Sequence, residues 1–118
     1  MTGYRLWSLR LGRALLGAFF AAGAVQKLVN PVPAMDLLRG AGLPALLVWP
    51  AMAFCTAGAF ALWFGRRVSL MALVLAAYCV VTSAFHFIPD DPWQISIFVK
   101  NWAIAGGLLV LASHPDAD

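Results

Sequence analysis

The sequence predicts an all-α integral membrane protein, an antiparallel bundle of four membrane-spanning helices. Hydrophobic residues make up 63% of the 118-residue chain and charged residues only 11%, whereas a soluble domain carries roughly 25% charged residues. The apolar residues also fall into four runs, each close to the about 20 residues that cross a hydrocarbon core. We therefore predict a single domain, residues 1–118, with spans at about 11–29, 44–64, 68–88 and 96–112. The fourth span is expected to start within residues 91–96.

The first predicted span follows a short basic segment, residues 1–10. A basic start before an apolar run is also typical of a signal peptide, with Ala22-Gly23-Ala24 as the cleavage site. Three further apolar runs follow, which favours a retained membrane helix. The span ends with two polar residues, Gln26 and Lys27.

The segment before the second span, residues 34–41, fits either a short interfacial helix or a plain loop. Asp36 and Arg39 are three residues apart, so they share one face if the segment is helical. Pro44 suits the first turn of the second span, where a missing N–H costs nothing. Pro50 lies further in and removes a backbone hydrogen bond, so we expect a kink there.

The two remaining connections are short. Gly65-Arg66-Arg67 predicts a tight basic turn, and residues 89–92 combine two prolines with two aspartates, so the chain turns again. Four antiparallel spans place the end of the first, the end of the third and the start of the fourth on one side. An ionisable group below the membrane surface is costly unless it is paired or faces a cavity. We therefore expect the polar residues there to face one another at similar depth: Gln26, Lys27, His86, Asp90, Asp91, Lys100 and Asn101.

The distribution of positive charge predicts the orientation. Near the termini and the middle turn lie Arg5, Arg10, Arg13, Arg66 and Arg67, whereas Lys27, Arg39 and Lys100 lie near the other two loops. Positive residues are enriched on the cytoplasmic side of membrane proteins. Both termini are therefore expected in the cytoplasm.

A series of short motifs runs along all four spans. These motifs are Arg13, Gly17, Phe20, Gly23, Lys27 and Pro31, then Gly42-Leu43-Pro44, Gly65-Arg66-Arg67, Phe85-His86, Lys100-Asn101 and Gly106-Gly107. Their order and spacing resemble the DoxX-like family of small four-helix bacterial membrane proteins over nearly the whole chain. Members of that family often carry a glutamate midway in the second helix. Here that region reads Phe54-Cys55-Thr56-Ala57-Gly58, which puts a proton-handling role at that position in doubt.

The resemblance implies a link to quinone-dependent sulfur oxidation, terminal quinol oxidation or oxidative-stress complexes. It predicts an accessory subunit of a redox-linked, quinone-associated complex in the bacterial inner membrane. The chain has no evident cofactor motif, so a partner protein is expected to supply electrons. One alternative is a non-catalytic structural subunit that packs against a larger membrane complex. A small transporter is the weakest alternative, because no ionisable residue lies near the middle of a predicted span.

Within this interpretation, His86 is the candidate catalytic residue. An imidazole exchanges protons near neutral pH, as a quinone carbonyl or quinol hydroxyl requires; the alternative role is a hydrogen bond to a loop carbonyl. The candidate binding residues for a quinone or lipid are Gln26, Lys27, Lys100 and Asn101. Alternatively, Lys100 pairs with Asp90 or Asp91 and closes the loop, and Lys27 extends to the membrane surface.

We expect no covalently bound cofactor, no haem and no metal site. His86 and His114 fall at opposite ends of the predicted bundle, and the C-x-x-C-H pattern of haem attachment is absent. Cys55 and Cys79 both fall near mid-membrane, where cysteine usually behaves as a small hydrophobe; a redox-active pair is the less favoured alternative. The net charge of +3 is too small and scattered to indicate nucleic acid. The expected partners are the lipid bilayer and a membrane or peripheral protein.

Overall fold

The computed structural model describes residues 2–118, which form five α-helices and no strand. The helices are α1 (Gly3–Val29), α2 (Val32–Gly40), α3 (Val48–Phe64), α4 (Val68–Ser83) and α5 (Pro92–Ser113). A 3₁₀ turn at Ala45–Leu47 leads into α3, and another at Ala84–His86 extends α4. With these turns included, four helices are long and apolar enough to cross a membrane: α1, α3, α4 and α5. The protein is therefore an all-α, multi-pass membrane protein, as its sequence predicts.

The short segment between the first two spans is helical, so the structure decides for a helix over a loop. α2 begins directly after Pro31 and carries an exposed ion pair, in which Arg39 Nη1 lies 3.2 Å from Asp36 Oδ1. Pro50 is the third residue of α3 and lies in its first turn. N–H groups in the first turn have no partner within the helix, so the N–H that proline lacks is not missed there. A 3₁₀ turn, Ala45–Leu47, directly precedes α3.

α5 begins near the early end of the range that the sequence predicts, residues 91–96, because Asp91 caps it. The Asp91 carboxylate accepts hydrogen bonds from the backbone N–H groups of Trp93 (3.0 Å) and Gln94 (3.3 Å). Pro92 occupies the first helical position, where its fixed φ angle suits the helix. The fourth span therefore starts at Pro92, four residues before the predicted boundary at residue 96.

The spanning helices pack as two close pairs, α1 with α3 and α4 with α5. α3 and α4 join the two pairs, whereas α1 and α5 touch at few points. Glycines permit the close approaches: a Cβ at Gly17 would overlap the Trp63 indole, and one at Gly58 would lie 2.7 Å from Leu75 Cδ2. The largest fully buried side chains of the core are Phe20, Leu62, Leu75 and Leu108.

The predicted basic turn joins α3 to α4. Gly65 ends α3 in the left-handed conformation (φ 71°), which glycine adopts without steric cost. The start of α4 is capped from a distance, because Asp118 Oδ1 accepts a hydrogen bond from the Ser69 backbone N–H at 2.8 Å. The C-terminal residues thus fold back onto this turn.

Candidate functional site

His86 closes the turn between α4 and α5. Its ring Nδ1 lies 2.6 Å from Gln94 Oε1, and the imidazole is half-buried. The amide oxygen only accepts, so Nδ1 is assigned the proton and Nε2 keeps a free lone pair in the neutral ring. The two side chains come from opposite sides of the turn, so their hydrogen bond connects the end of α4 to the start of α5.

Lys27 and Gln26 lie at this same end of the bundle, in the last turns of α1. The Lys27 ammonium folds back along its own helix and donates to the Gly23 carbonyl oxygen at 3.4 Å. Gln26 is exposed, as is Asp90. We use the name rim for the polar residues at this end: Gln26, Lys27, His86, Asp90, Asp91 and Gln94.

Lys100 lies deeper than the rim. It follows Pro92 by eight residues, which corresponds to about 12 Å along α5. Its Nζ is 5.3 Å from the centre of the Phe19 ring on α1, a distance typical of a cation–π contact. Phe19 precedes Lys27 by eight residues, again about 12 Å along its helix. Lys27 and Lys100, expected at similar depth, therefore lie on two different levels.

Further polar side chains share the level of Lys100. α4 and α5 are antiparallel, and His86 on one side of the turn is level with Gln94 on the other. Seven residues further from the turn on each side, Cys79 is therefore level with Asn101. Both are buried, at 2% and 7% exposure. The Tyr78 hydroxyl accepts a hydrogen bond from Cys55 Sγ at 3.5 Å, which links α3 to the same level.

We use the name inner layer for this second group of polar residues. Its members are Cys55, Tyr78, Cys79, Lys100 and Asn101. The two cysteines in it are free thiols, not joined to one another.

Lys100 is exposed at the seam where α1 and α5 touch only sparsely. The one ion pair within residues 2–118 joins Asp36 and Arg39, so no carboxylate in that part of the chain neutralises Lys100. The ammonium of Lys100 is a hydrogen-bond donor without acceptor capacity, and the Asn101 amide can also donate. These donors suit a carbonyl or anionic oxygen on a lipophilic molecule.

The structure thus brings together only some of the predicted site residues. It joins His86 to Gln94 and uses Asp91 to cap α5, while Lys27 and Lys100 stay apart. Sequence reasoning missed Gln94, Phe19 and Tyr78. Tyr78 could have been found from the sequence, because it places a hydroxyl group within an apolar run. The contact of Phe19 depends on helix packing, which no sequence pattern reveals.

A family model described as DoxX matches residues 8–88, from the first turns of α1 to the turn after α4. α5, which carries Lys100 and Asn101, lies outside the matched residues. No curated protein and no solved structure matches the chain.

Proposed function

This chain belongs to the DoxX family, and on that premise we propose that it is an accessory subunit of a redox-linked membrane complex. In this role it binds a quinone, or a similar lipophilic carbonyl compound, at the seam between α1 and α5. A partner protein supplies the electrons. The complex lies in the bacterial inner membrane with both termini of this subunit in the cytoplasm, an orientation that the arginine distribution supports.

The position of Lys100 is the observation that carries this proposal. A charged side chain two turns inside a spanning helix is costly, and such residues mark functional sites. The Phe19 ring offsets part of that cost, about 0.5–2 kcal/mol for a cation–π contact. A ligand oxygen at the seam would supply the missing acceptor for the ammonium.

Each polar group has a distinct role in the proposal. Lys100 and Asn101 hold the ligand head in the inner layer, and the ligand itself supplies the redox chemistry when bound. His86 is level with Gln94, six residues or about 9 Å along α5 from Lys100. In this proposal it therefore exchanges protons at Nε2 with the ligand oxygen that faces the rim, on the far side of the ligand ring from Lys100, while Gln94 holds the imidazole in the tautomer that leaves Nε2 free. Gln26 and Lys27 stay at the rim without contacting the ligand head, because the Lys27 ammonium is bonded to the Gly23 carbonyl oxygen of its own helix.

Binding of a short-chain quinone analogue to the purified protein in native-lipid nanodiscs tests the proposal. Affinity is measured by quenching of tryptophan fluorescence. Lys100→Met should weaken binding about tenfold or more, because it removes a hydrogen bond from a charged donor. Lys27→Met, the matched control at the rim, should stay within about twofold of the wild type. Equal affinities of the wild type and Lys100→Met would overturn the proposed site.

A structural subunit is the second candidate function, and the outer face of α5 favours it. A Cβ at Gly106 or Gly107 would meet no atom within 4 Å, so this face is open. Small residues allow another helix to approach closely. On this alternative, Gly106→Leu should release a partner that copurifies from native membrane, whereas Lys100→Met should leave the partner bound.

A further inference from the structure

The end of the bundle opposite the rim has a cleft between α1 and the last turn of α3. Its volume is about 290 Å³, and it is lined by Arg10, Arg13, Ala14, Leu62 and Trp63. The lining contains two cationic side chains and no carboxylate. Neither the rim nor the inner layer contributes to it.

Hydrogen bonds in both directions hold the walls of this cleft. Arg13 Nε donates to the Leu62 carbonyl oxygen at 2.9 Å, and Arg13 Nη2 donates to that of Trp63 at 3.5 Å. These carbonyls lie in the last turn of α3, where the helix provides no partner for them. In return, Trp63 Nε1 donates to the Ala14 carbonyl oxygen at 3.1 Å. The cleft is therefore a defined feature of the α1–α3 contact.

Arg10 provides an uncommitted positive charge at the mouth of the cleft. It is exposed, and within residues 2–118 its guanidinium makes neither a hydrogen bond nor an ion pair. Arg10 precedes Arg13 by three residues, so the two arginines lie on the same face of α1. Of the two aspartate side chains at this end, that of Asp118 already caps α4. Only the Asp116 side chain remains to balance the charge of the arginines there.

The surroundings of the cleft match the boundary between lipid headgroups and hydrocarbon. Tyr4 and Trp7, one to two turns before Arg10, are 69% and 70% exposed, and such aromatic residues concentrate at the level of the headgroups. On the other side of Arg10, Leu11 and Leu15 are exposed on α1. An anion held at Arg10 therefore has apolar surface beside it in the direction of the membrane interior.

We propose that this cleft binds an anionic phospholipid of the surrounding bilayer. The phosphate lies against the Arg10 guanidinium and Arg13 Nη1, and the acyl chains follow Leu11 and Leu15. Guanidinium groups suit phosphate because they present paired N–H donors in one plane. This site is separate from the proposed quinone site, so either proposal can fail without the other.

Native mass spectrometry of the detergent-solubilised full chain tests this proposal. The protein is titrated with phosphatidylglycerol and with phosphatidylcholine of identical acyl chains, and bound lipids are counted. We expect tighter binding of phosphatidylglycerol. Arg10→Gln should weaken that binding about fivefold, the effect of one basic residue near a membrane surface, and Arg66→Gln should change it less than about twofold. Arg66 is an apt control because it is exposed at the same end but outside the cleft.

Three results would overturn the proposal. Equal binding of the two lipids would exclude recognition of the anionic headgroup. Equal losses of phosphatidylglycerol binding in the Arg10 and Arg66 variants would show that binding depends on the overall charge of this end and not on the cleft. Displacement of phosphatidylglycerol by millimolar inorganic phosphate would show that the cleft takes a free anion instead of a lipid. Thermal unfolding of each variant confirms that both remain folded, as expected for exposed side chains.

Discussion

At the scale of single residues, the contact between α1 and α3 depends on the absence of a side chain at Gly17. The Trp63 indole occupies the space that a Cβ would need, and its Nε1 is held by the Ala14 carbonyl oxygen. The ring cannot withdraw without losing that hydrogen bond, which would leave a polar group unpaired. Gly12 lies on the same helix, but a Cβ there would meet nothing within 4 Å.

We therefore expect Gly17→Ala to destabilise the bundle, with Gly12→Ala as the matched control. Overpacking of a filled contact costs about 1–3 kcal/mol, and the exposed control should be neutral or slightly stabilising because alanine favours the helix. Thermal unfolding in detergent, followed by circular dichroism, compares the two variants. Equal melting temperatures would show that Trp63 is not fixed against Gly17.

The hydrogen bond between His86 and Gln94 leads to a second prediction at this scale. If Nε2 exchanges protons with a bound quinone, His86→Ala should lower quinone reduction by the purified complex about 10²-fold, in the range for general acid–base catalysis. Gln94→Ala should lower it less, because only the orientation of the ring is lost. Turnover rates of the two variants and the wild type provide the measurement. Unchanged turnover in His86→Ala would leave His86 with the role of closing the turn.

At the scale of helices, early capping by Asp91 sets the depth of every later residue in α5. Because the helix begins at Pro92, Lys100 is about two turns from its start, whereas the later predicted start placed it about one turn deep. Lys27 remains in the last turn of α1. The polar surface expected as one patch is consequently divided between the rim and the inner layer.

Cysteine labelling measures this division directly. Lys27→Cys should react readily with a membrane-impermeant maleimide, because its position is at the end of α1. Lys100→Cys should react at least about tenfold more slowly with that reagent, since its depth of about 12 Å restricts access from water. A permeant maleimide should label both. The wild type, with its two buried thiols, gives the background. Equal impermeant labelling of both positions would contradict the two levels.

At the scale of the whole molecule, composition and hydropathy determine the class of fold, whereas packing determines the site. The four apolar runs were sufficient to predict four spanning helices, because lipid requires every backbone group to be bonded within its own segment. The same runs carry no information on which helices pair closely. The weak α1–α5 contact, where Phe19 meets Lys100, therefore emerged only from the structure. Gln94 was missed for the same reason, since an isolated amide before the predicted start of the fourth span suggests no particular partner.

The orientation of the whole bundle is open to a separate prediction. The arginines near the N-terminus and in the Gly65-Arg66-Arg67 turn favour the cytoplasmic side for this end of the bundle. Green fluorescent protein fused after Asp118 should fluoresce, and alkaline phosphatase fused there should be inactive. Phosphatase inserted after Gly42, between α2 and α3, should instead be active. The reverse pattern would place the rim on the cytoplasmic side.

Photoaffinity labelling with an azido-quinone is the most direct test of the central claim, that the seam between α1 and α5 holds a lipophilic carbonyl ligand. The purified protein in native-lipid nanodiscs is irradiated with and without excess unmodified quinone, and labelled peptides are identified by mass spectrometry. We predict competable labelling of the α1 segment around Phe19 and the α5 segment around Lys100, and its loss in Lys100→Met. Labelling spread over all four spans, or unaffected by the competitor, would contradict the claim.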